Sequence, residues 1–350
     1  MVIIFMGVVI FGLIILQENI YGKLWNRKLT LDIEFSSKEA YEGDTLALFT
    51  KVTNKKPLPL PWLFVKYDLS HSLVFNNEQR EQNANQQGEL FGVKVQQTLR
   101  REREFVATKR GFYRIRNITM TANDLLHVKR FRATAKSHSE LTVFPQLLPN
   151  TNHTDILYKN LDDVILSNSI INPDPFEFKG IREYQPTDSL RSVNFKASAV
   201  AGHMMVNIYA PTNAQRLEII LNLQPNTTTY AFEDREQAIR LAATVAHRYI
   251  HQGASVGLYS NGRDCFDGRE TRVRSGSNPA HLYSILQSLA YVNLVNELTP
   301  IAPIAPFLED LQDKEAVYLI ISPYQGGDLT DALQGLSDRG IVYVEEGAVW

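Results

Sequence analysis

The sequence predicts a chain of mixed class, all-β followed by α/β, behind one N-terminal membrane helix. Three observations carry this. An uncharged apolar run opens the chain at Val2–Leu16, alternating strand patterns broken by turn signals fill residues 29 to 144, and strands alternate with helices from Arg216 onward. The expected divisions are an anchor at 1–25, a β-sandwich at 26–150, a connector at 151–215 and an α/β domain at 216–350. A chain of 350 residues is long enough for two domains with separate cores. Its 44% hydrophobic and 21% charged content is ordinary for a globular protein and leaves room for a membrane segment. A formal net charge of −2 offers no bulk electrostatic case for nucleic acid or a strongly acidic partner. Cys265 is the sole cysteine, which excludes an internal disulfide and fits a reducing compartment.

The opening run reads VIIFMGVVIFGLIIL, fifteen residues without a charge. As a helix it is roughly 22 Å long, short of the ~30 Å hydrocarbon core of a bilayer. Gln17, Glu18 and Asn19 interrupt it before Ile20–Trp25 resumes a weaker apolar character. A signal peptide would bring a basic leading segment and a small-residue cleavage site, and neither is present. A core helix is compatible with the length, but this run is apolar on every side and terminal. A membrane anchor is the favoured reading. Lys23, Arg27 and Lys28 follow it and nothing basic precedes it, which places the bulk of the chain on the cytoplasmic side of the cell membrane.

Period-two patterning then takes over. Leu29–Phe35, Leu46–Val52 and Leu63–Leu69 are strand-like runs separated by Glu42-Gly43-Asp44 and Asn54-Lys55-Lys56-Pro57. Gln96–Val106, Gly111–Thr121 and Glu140–Phe144 continue the series, and such spacing predicts an immunoglobulin-like sandwich. Asn76–Glu89 holds no apolar residue except Ala84 and is expected to be a solvated, mobile hairpin loop. Pro57-Leu-Pro-Leu-Pro61 is read as a bend leading into a strand, ahead of a polyproline ligand. Val143–Ser169 joins the halves: a strand ending at Pro145, a polar stretch, then an apolar segment around Ile156–Leu166.

Beyond residue 216 the elements follow a doubly wound order. Leu217–Leu223 is a strand of the kind buried on both faces, and Glu233–Gln252 is a helix with Ala238, Leu241, Ala242, Val245 and Tyr249 on one face. Ala254–Tyr259 is the next strand, with Ser260-Asn261-Gly262 expected as a tight turn. Pro279–Ala290 is helical, Ala316–Ile321 a strand, Leu329–Leu336 a helix and Ile341–Val344 the last strand.

Between the halves lies the densest charge pattern, Asp174–Ala210, DPFEFKGIREYQPTDSLRSVNFKASAVAGHMMVNIYA. Arg182, Glu183, Asp188, Arg191 and Lys196 fall within fifteen residues, among turn formers and aromatics. Mixed charges this close predict an interlocked ion-pair network. The order resembles the signature of a bacterial family called domain of unknown function 58, a GxREYxPGDxxRxIxWKxSAR pattern followed by a strand. Gly180, Arg182, Glu183, Tyr184, Pro186, Asp188, Arg191, Lys196, Ser198 and Ala199 match it. Thr187 stands for the usual Gly, Val193 for Ile, Phe195 for Trp and Val200 for Arg. Upstream, Gly111-Phe112-Tyr113 and Asn123-Asp124-Leu125-Leu126 loosely match a GxYxl…DPFGL passage of that family. Relatives usually carry two closely spaced membrane spans where this chain shows one short one, so either the first span is lost or the true start lies upstream.

The resemblance implies a von Willebrand factor A-like domain after the signature. Such domains hold Mg²⁺ through a DxSxS loop, whose carboxylate and hydroxyls are hard oxygen ligands. The corresponding loop here is Asn222-Leu-Gln224-Pro-Asn226, with no carboxylate or hydroxyl in place. It is a degenerate metal site, no metal or other cofactor is expected, and the loop remains a place where a partner could dock.

Other motifs point to little chemistry. His247 and His251 have the i, i+4 spacing of zinc ligands but lack the intervening Glu. His247 also lies roughly 200° around the helix from Val245, which turns both histidines to solvent. No GxSxG elbow, P-loop or GxGxxG cradle occurs, Ser275-Gly276-Ser277 reads as a plain loop, and Cys265 as a half-buried structural thiol. The signature has two readings: Arg182, Glu183, Tyr184, Asp188, Arg191 and Lys196 present a fixed pattern to a partner, or they bridge the domains. A membrane-bound hydrolase or transferase would use Glu183 and Asp188, but Arg182 and Arg191 nearby would keep both ionised, which suits ion pairing better than proton transfer. Members of the resembled family are often encoded beside MoxR-type AAA+ ATPases and are thought to act with them in protein assembly or maturation. The expectation is a non-catalytic adaptor or scaffold of that kind, with no nucleic-acid partner.

Overall fold

A computed structural model describes residues 2–75, 86–124, 126–127, 129–171, 173–186, 188–211, 216–225, 231–294, 303–309, 316–324, 326–334 and 341–345. The chain divides into two compact units, Met1–Gln146 and Leu147–Trp350.

The first unit opens with α1, Val2–Leu24, whose stretch Ile4–Leu24 is long and apolar enough to cross a membrane. The helix does not stop at Leu16. Gln17, Glu18 and Asn19 stay helical because two of them meet the β-rich part of the unit. Gln17 Nε2 donates to Asp124 Oδ2 at 2.9 Å, and Glu18 pairs with Lys129 at 2.9 Å. Below them Tyr21 and Trp25 are buried; the Tyr21 hydroxyl donates to the Pro59 carbonyl at 2.9 Å, and Trp25 stacks on Phe131. The polar interruption in the sequence is thus where the helix is rooted, and the residues before it present their apolar side chains outward.

Eleven strands follow: β1 Leu29–Phe35, β2 Glu39–Tyr41, β3 Thr45–Asn54, β4 Leu60–Asp68, β5 Leu73–Phe75 and β6 Gln86–Val93. Then come β7 Thr98–Ala107, β8 Gly111–Arg114, β9 Arg116–Asn123, β10 Arg130–Ala135 and β11 Glu140–Phe144. They form two four-stranded sheets, β1-β3-β7-β5 and β10-β9-β4-β6, and a three-stranded sheet, β2-β11-β8. Alternation decides which side chains turn inward. In β4, Leu63, Val65 and Tyr67 are buried while Trp62 and Phe64 are exposed. Ile33, Leu48 and Phe105 of one four-stranded sheet share a core with Leu63, Val65, Phe91 and Met120 of the other, which makes the pair a β-sandwich. Each fully buried side chain of this size contributes about 1.5–3 kcal/mol.

The loop expected at 76–89 ends early. Gln86–Glu89 belong to β6 and Glu89 is buried; residues 76–85 lie outside the described ones. A buried carboxylate is tolerated only when donors surround it. Glu89 accepts from Thr50 Oγ1 at 3.1 Å and the Tyr67 hydroxyl at 2.7 Å, and Arg101 and Arg103 approach to 3.5 and 3.9 Å. The polar composition of that stretch conceals an inward-facing polar cluster.

The second unit begins with α2, Asn152–Ile171, and β12, Pro173–Glu183. It continues through α3 Phe195–Ala201, β13 Met205–Pro211, β14 Arg216–Leu221, α4 Ala231–His251, β15 Ser255–Asp264, β16 Glu270–Gly276 and α5 Pro279–Tyr291. Last come β17 Val292–Asn293, α6 Ala305–Glu309, β18 Val317–Ser322, α7 Gly327–Gln334 and β19 Ile341–Glu345. The six-stranded sheet runs β16-β15-β14-β18-β19, with β17 on β15. Its centre is parallel and β16 is an antiparallel edge.

Residues 151–215 are therefore more than a connector. Leu157, Tyr158, Leu161 and Ile165 recur at helical spacing and are buried. Asp162 accepts from the Tyr249 hydroxyl at 2.7 Å, and the Arg248 guanidinium lies 3.9 Å over the Tyr158 ring, so α2 packs on α4. Ser260-Asn261-Gly262 is strand, not turn. Gly262 is needed for close approach, since a Cβ there would come within 2.6 Å of Leu223 and 2.7 Å of Val292. Ser275 and Gly276 likewise lie in β16 rather than a loop, and Cys265 is exposed rather than half-buried.

Lys56, in the β3–β4 connection, is buried at 3% exposure, and its Nζ finds no hydrogen-bond partner among the described residues. Burial pushes its ammonium down to about 8, from an ordinary 10.5. Between those values the unfolded chain holds a proton that the folded chain has released, so stability rises with pH across that window. Lys56→Met should raise stability at neutral pH and flatten this alkaline rise relative to the parent, as measured by denaturant titration of the full chain in detergent.

Candidate functional site

The charged signature folds as a β-hairpin carrying a short helical excursion. β12 pairs antiparallel with β13, Arg182 opposite Val206 and Glu183 opposite Met205. After Glu183 the chain turns, with the Asp188 N–H donating to the Gln185 carbonyl, and makes one 3-10 turn at Leu190–Ser192 begun by Ser189. Asn194 caps α3 by accepting from the Ala197 N–H at 2.9 Å. Ser198 fastens the helix to the hairpin: its hydroxyl accepts from the Met205 N–H at 2.8 Å and donates to the Asn194 carbonyl at 2.7 Å. Gly202, at φ 76°, ends α3 in the left-handed conformation that glycine adopts without strain.

The structure brings Arg182 and Asp188 together as a bidentate fork. Two guanidinium nitrogens each lie 2.6 Å from one carboxylate oxygen, and the Gln185 N–H donates to Asp188 at 2.8 Å. Arg182 first, then the Gln185 amide, hold the Asp188 carboxyl below the usual carboxylate range, and Asp188 raises the guanidinium in turn. The interlocked network predicted across all the charges reduces to this fork. Glu183 is exposed, 3.3 Å from His203 Nε2, and Tyr184 is half-buried with its N–H on the Met204 carbonyl. Arg191 and Lys196 are exposed and have no ion-pair partner among the described residues. The 3-10 turn and α3 carry these two cations clear of the carboxylates.

Sequence reasoning missed the apolar side of the same segment. Leu190 is 68% exposed, Phe195 80%, Val200 87% and Met204 44%. The available signal was the apolar residue standing where the related pattern has Arg, at Val200, beside an aromatic at Phe195.

The side chains of the Asn222 loop are engaged in buried hydrogen bonds. Asn222 is fully buried at the end of β14; its amide donates to Ser322 Oγ at 2.9 Å, and its oxygen accepts from Asn261 Nδ2 at 2.8 Å and the Gln224 N–H at 3.1 Å. Asn261 in turn accepts from the Leu223 N–H at 2.8 Å. Gln224 is buried and accepts from the Ile304 N–H at 3.3 Å; Asn226 lies outside the described residues. Among the described residues no three His, Cys, Asp or Glu side chains gather to hold a metal. His247 and His251 lie 4.4 Å apart between ring centres with their rings tilted by 55°, but His247 is partly buried rather than turned to solvent. Burial and then His251 push its imidazole below the ordinary value.

Fold and site together define a two-unit protein: a strand-rich unit behind an apolar helix, and an α/β unit carrying a charged hairpin ahead of its sheet. Residues 180–345 match the family described as "Protein of unknown function DUF58". Among curated proteins it is 19% identical over 236 residues to "Uncharacterized protein YeaD" of Bacillus subtilis (strain 168). That match takes in 66% of this chain and 55% of the relative, so the chain spans about half the relative's length. Solved structures with some likeness include an Escherichia coli alpha-2-macroglobulin fragment, at 16% identity, covering 34% of this chain and 24% of that one, with a TM-score of 0.27. A cohesin from Pseudobacteroides cellulosolvens (12%, 36% and 97%, TM-score 0.24) and one from Archaeoglobus fulgidus (15%, 38% and 97%, TM-score 0.22) are others. Likenesses this slight carry no argument, and the fold rests on the strand order above.

Two outcomes follow from the geometry. Asn222→Ala strips partners from buried groups of Asn261, Gln224 and Ser322, and chemical denaturation should show a loss of about 1–3 kcal/mol for each group left unsatisfied. Asp188 has its folded-state carboxyl below the ordinary 3.8, so its contribution to stability is present above that value and disappears as pH falls through the folded one. The stability gap between the parent and Asp188→Asn should therefore close on acidification from about pH 6 to about pH 2, followed by circular dichroism.

Proposed function

We propose that the chain is a non-catalytic, membrane-anchored adaptor that docks a partner protein on its signature hairpin. The observation that carries this reading is the exposure of Leu190, Phe195, Val200 and Met204 beside the unpaired cations Arg191 and Lys196. Large apolar side chains left bare among cations, on a segment otherwise fixed by caps and a bidentate fork, are typical of interface anchors. Asp188 supports the same reading, because both of its oxygens are engaged by Arg182 and one also by the Gln185 amide, leaving little capacity for proton transfer.

The match of residues 180–345 to that family suggests the partner: a MoxR-type AAA+ ATPase, with the adaptor serving assembly or maturation of other proteins. Helix α1 supplies the anchor, and Lys23, Arg27 and Lys28 after it favour a cytoplasmic position for both units. We take the sandwich as immunoglobulin-like and the α/β layer as von Willebrand factor A-like; a parallel centre with one antiparallel edge supports the second assignment.

Crosslinking and affinity purification from native membranes test the proposal. The parent chain should recover an AAA+ ATPase, and Phe195→Glu/Val200→Glu, which alters only exposed positions, should lose most of it while keeping the parent melting temperature. Equal recovery with this variant would move the contact elsewhere. No ATPase with either chain would remove the proposed partner.

A further inference from the structure

The two faces of the six-stranded sheet are unequally covered. α4 and α5 lie along β14, β15 and β16. On the face to which Ile220 and Tyr318 point, α6 and α7 build a small core around Ile220, Tyr318 and Ile320. Toward the β16 edge this face opens into a cleft of about 820 Å³, lined by Arg216, Glu218, Tyr259, Arg272, Arg274 and Phe307, among others.

The lining has a definite chemistry. Arg272 sits opposite Tyr259 across the antiparallel ladder, and Arg274 lies two residues on along the same edge strand. Residues i and i+2 share a face and stand about 7 Å apart. Neither guanidinium has a hydrogen bond or an ion pair among the described residues. Arg216 pairs with Glu218 at 3.0 Å, and the Ser275 hydroxyl donates to the same carboxylate oxygen. The second oxygen of Glu218 accepts no hydrogen bond among the described residues, and it lies where a Cβ at residue 257 would be; Gly257 is what makes room for it. Tyr259 and Phe307 stack at 3.5 Å between ring centres, 10° from parallel, and form an aromatic wall.

We propose that this cleft binds a small ring compound carrying a phosphate, of about mononucleotide size. Three guanidinium groups against one carboxylate leave the lining cationic, and two of the three are free to grip an anion through paired N–H groups, which suit phosphate oxygens. The aromatic wall supplies an apolar surface for a ring, and the open oxygen of Glu218 can accept an N–H or O–H from it. Cavity size agrees, since small-molecule pockets commonly occupy about 300–1,000 Å³. The site is separate from the signature hairpin and does not depend on the adaptor reading.

Isothermal titration of the full chain in detergent with AMP, phenyl phosphate and inorganic phosphate tests it. Both ring phosphates should bind more tightly than inorganic phosphate. Arg272→Ala/Arg274→Ala, at exposed edge positions, should weaken all three at least tenfold with an unchanged melting temperature of the free protein. Phe307→Ala should erase the advantage of the ring compounds while leaving inorganic phosphate binding intact. Absence of saturable binding by all three probes overturns the proposal, as does equal binding by the parent and the double-arginine variant. Inorganic phosphate binding as tightly as AMP and phenyl phosphate would overturn the ring specificity.

Discussion

The α/β unit depends on a buried polar clasp at the carboxyl ends of its central strands. Asn222, Asn261 and Ser322 stand at the end of β14, in β15 and at the end of β18, three neighbours in the sheet, and their side chains hydrogen-bond directly to one another. The clasp also receives the Leu223 and Gln224 backbone N–H groups, which leave the ladder just where the strand ends. Buried amides of this kind must all be satisfied or the sheet end would be strained open. The carboxyl end of β14 is thereby closed by neutral hydrogen bonding.

The strands were legible wherever hydrophobic periodicity and burial agreed. β1, β3 and β4 coincide with apolar alternation, and the buried β14 and β18 with continuous apolar runs. Failures came where polar residues face inward or glycine serves proximity. Glu89 made β6 look like solvated loop, Gly262 made the middle of β15 look like a turn, and β16 hid behind its arginines. No local rule reveals that Gly262 is demanded by a leucine as distant in sequence as Leu223.

The signature shows the same split between local and distant information. Capping by Asn194, the left-handed Gly202 and the Arg182–Asp188 fork are short-range devices, and spacing alone nearly specifies them. Which charges pair was less legible: a charge count gives a network, whereas backbone direction allows one fork and carries Arg191 and Lys196 into solvent. The exposed Phe195 and Val200 were invisible to a reading that looked for chemistry in the charged residues and treated apolar ones as filling.

The rooting of α1 has a mechanical consequence. Because Gln17, Glu18, Tyr21 and Trp25 are fixed to the β-rich unit, the helix and the sandwich turn as one body, without a swivel between them. Only about the first fifteen residues, roughly 22 Å of helix, stand clear of the sandwich. Were this helix to cross a bilayer, so short a free segment would require the bilayer to thin locally or the sandwich to draw down against its headgroups. The tilt and height of the sandwich would then follow bilayer thickness directly, and the thickness of the lipid would become a mechanical input to the first unit.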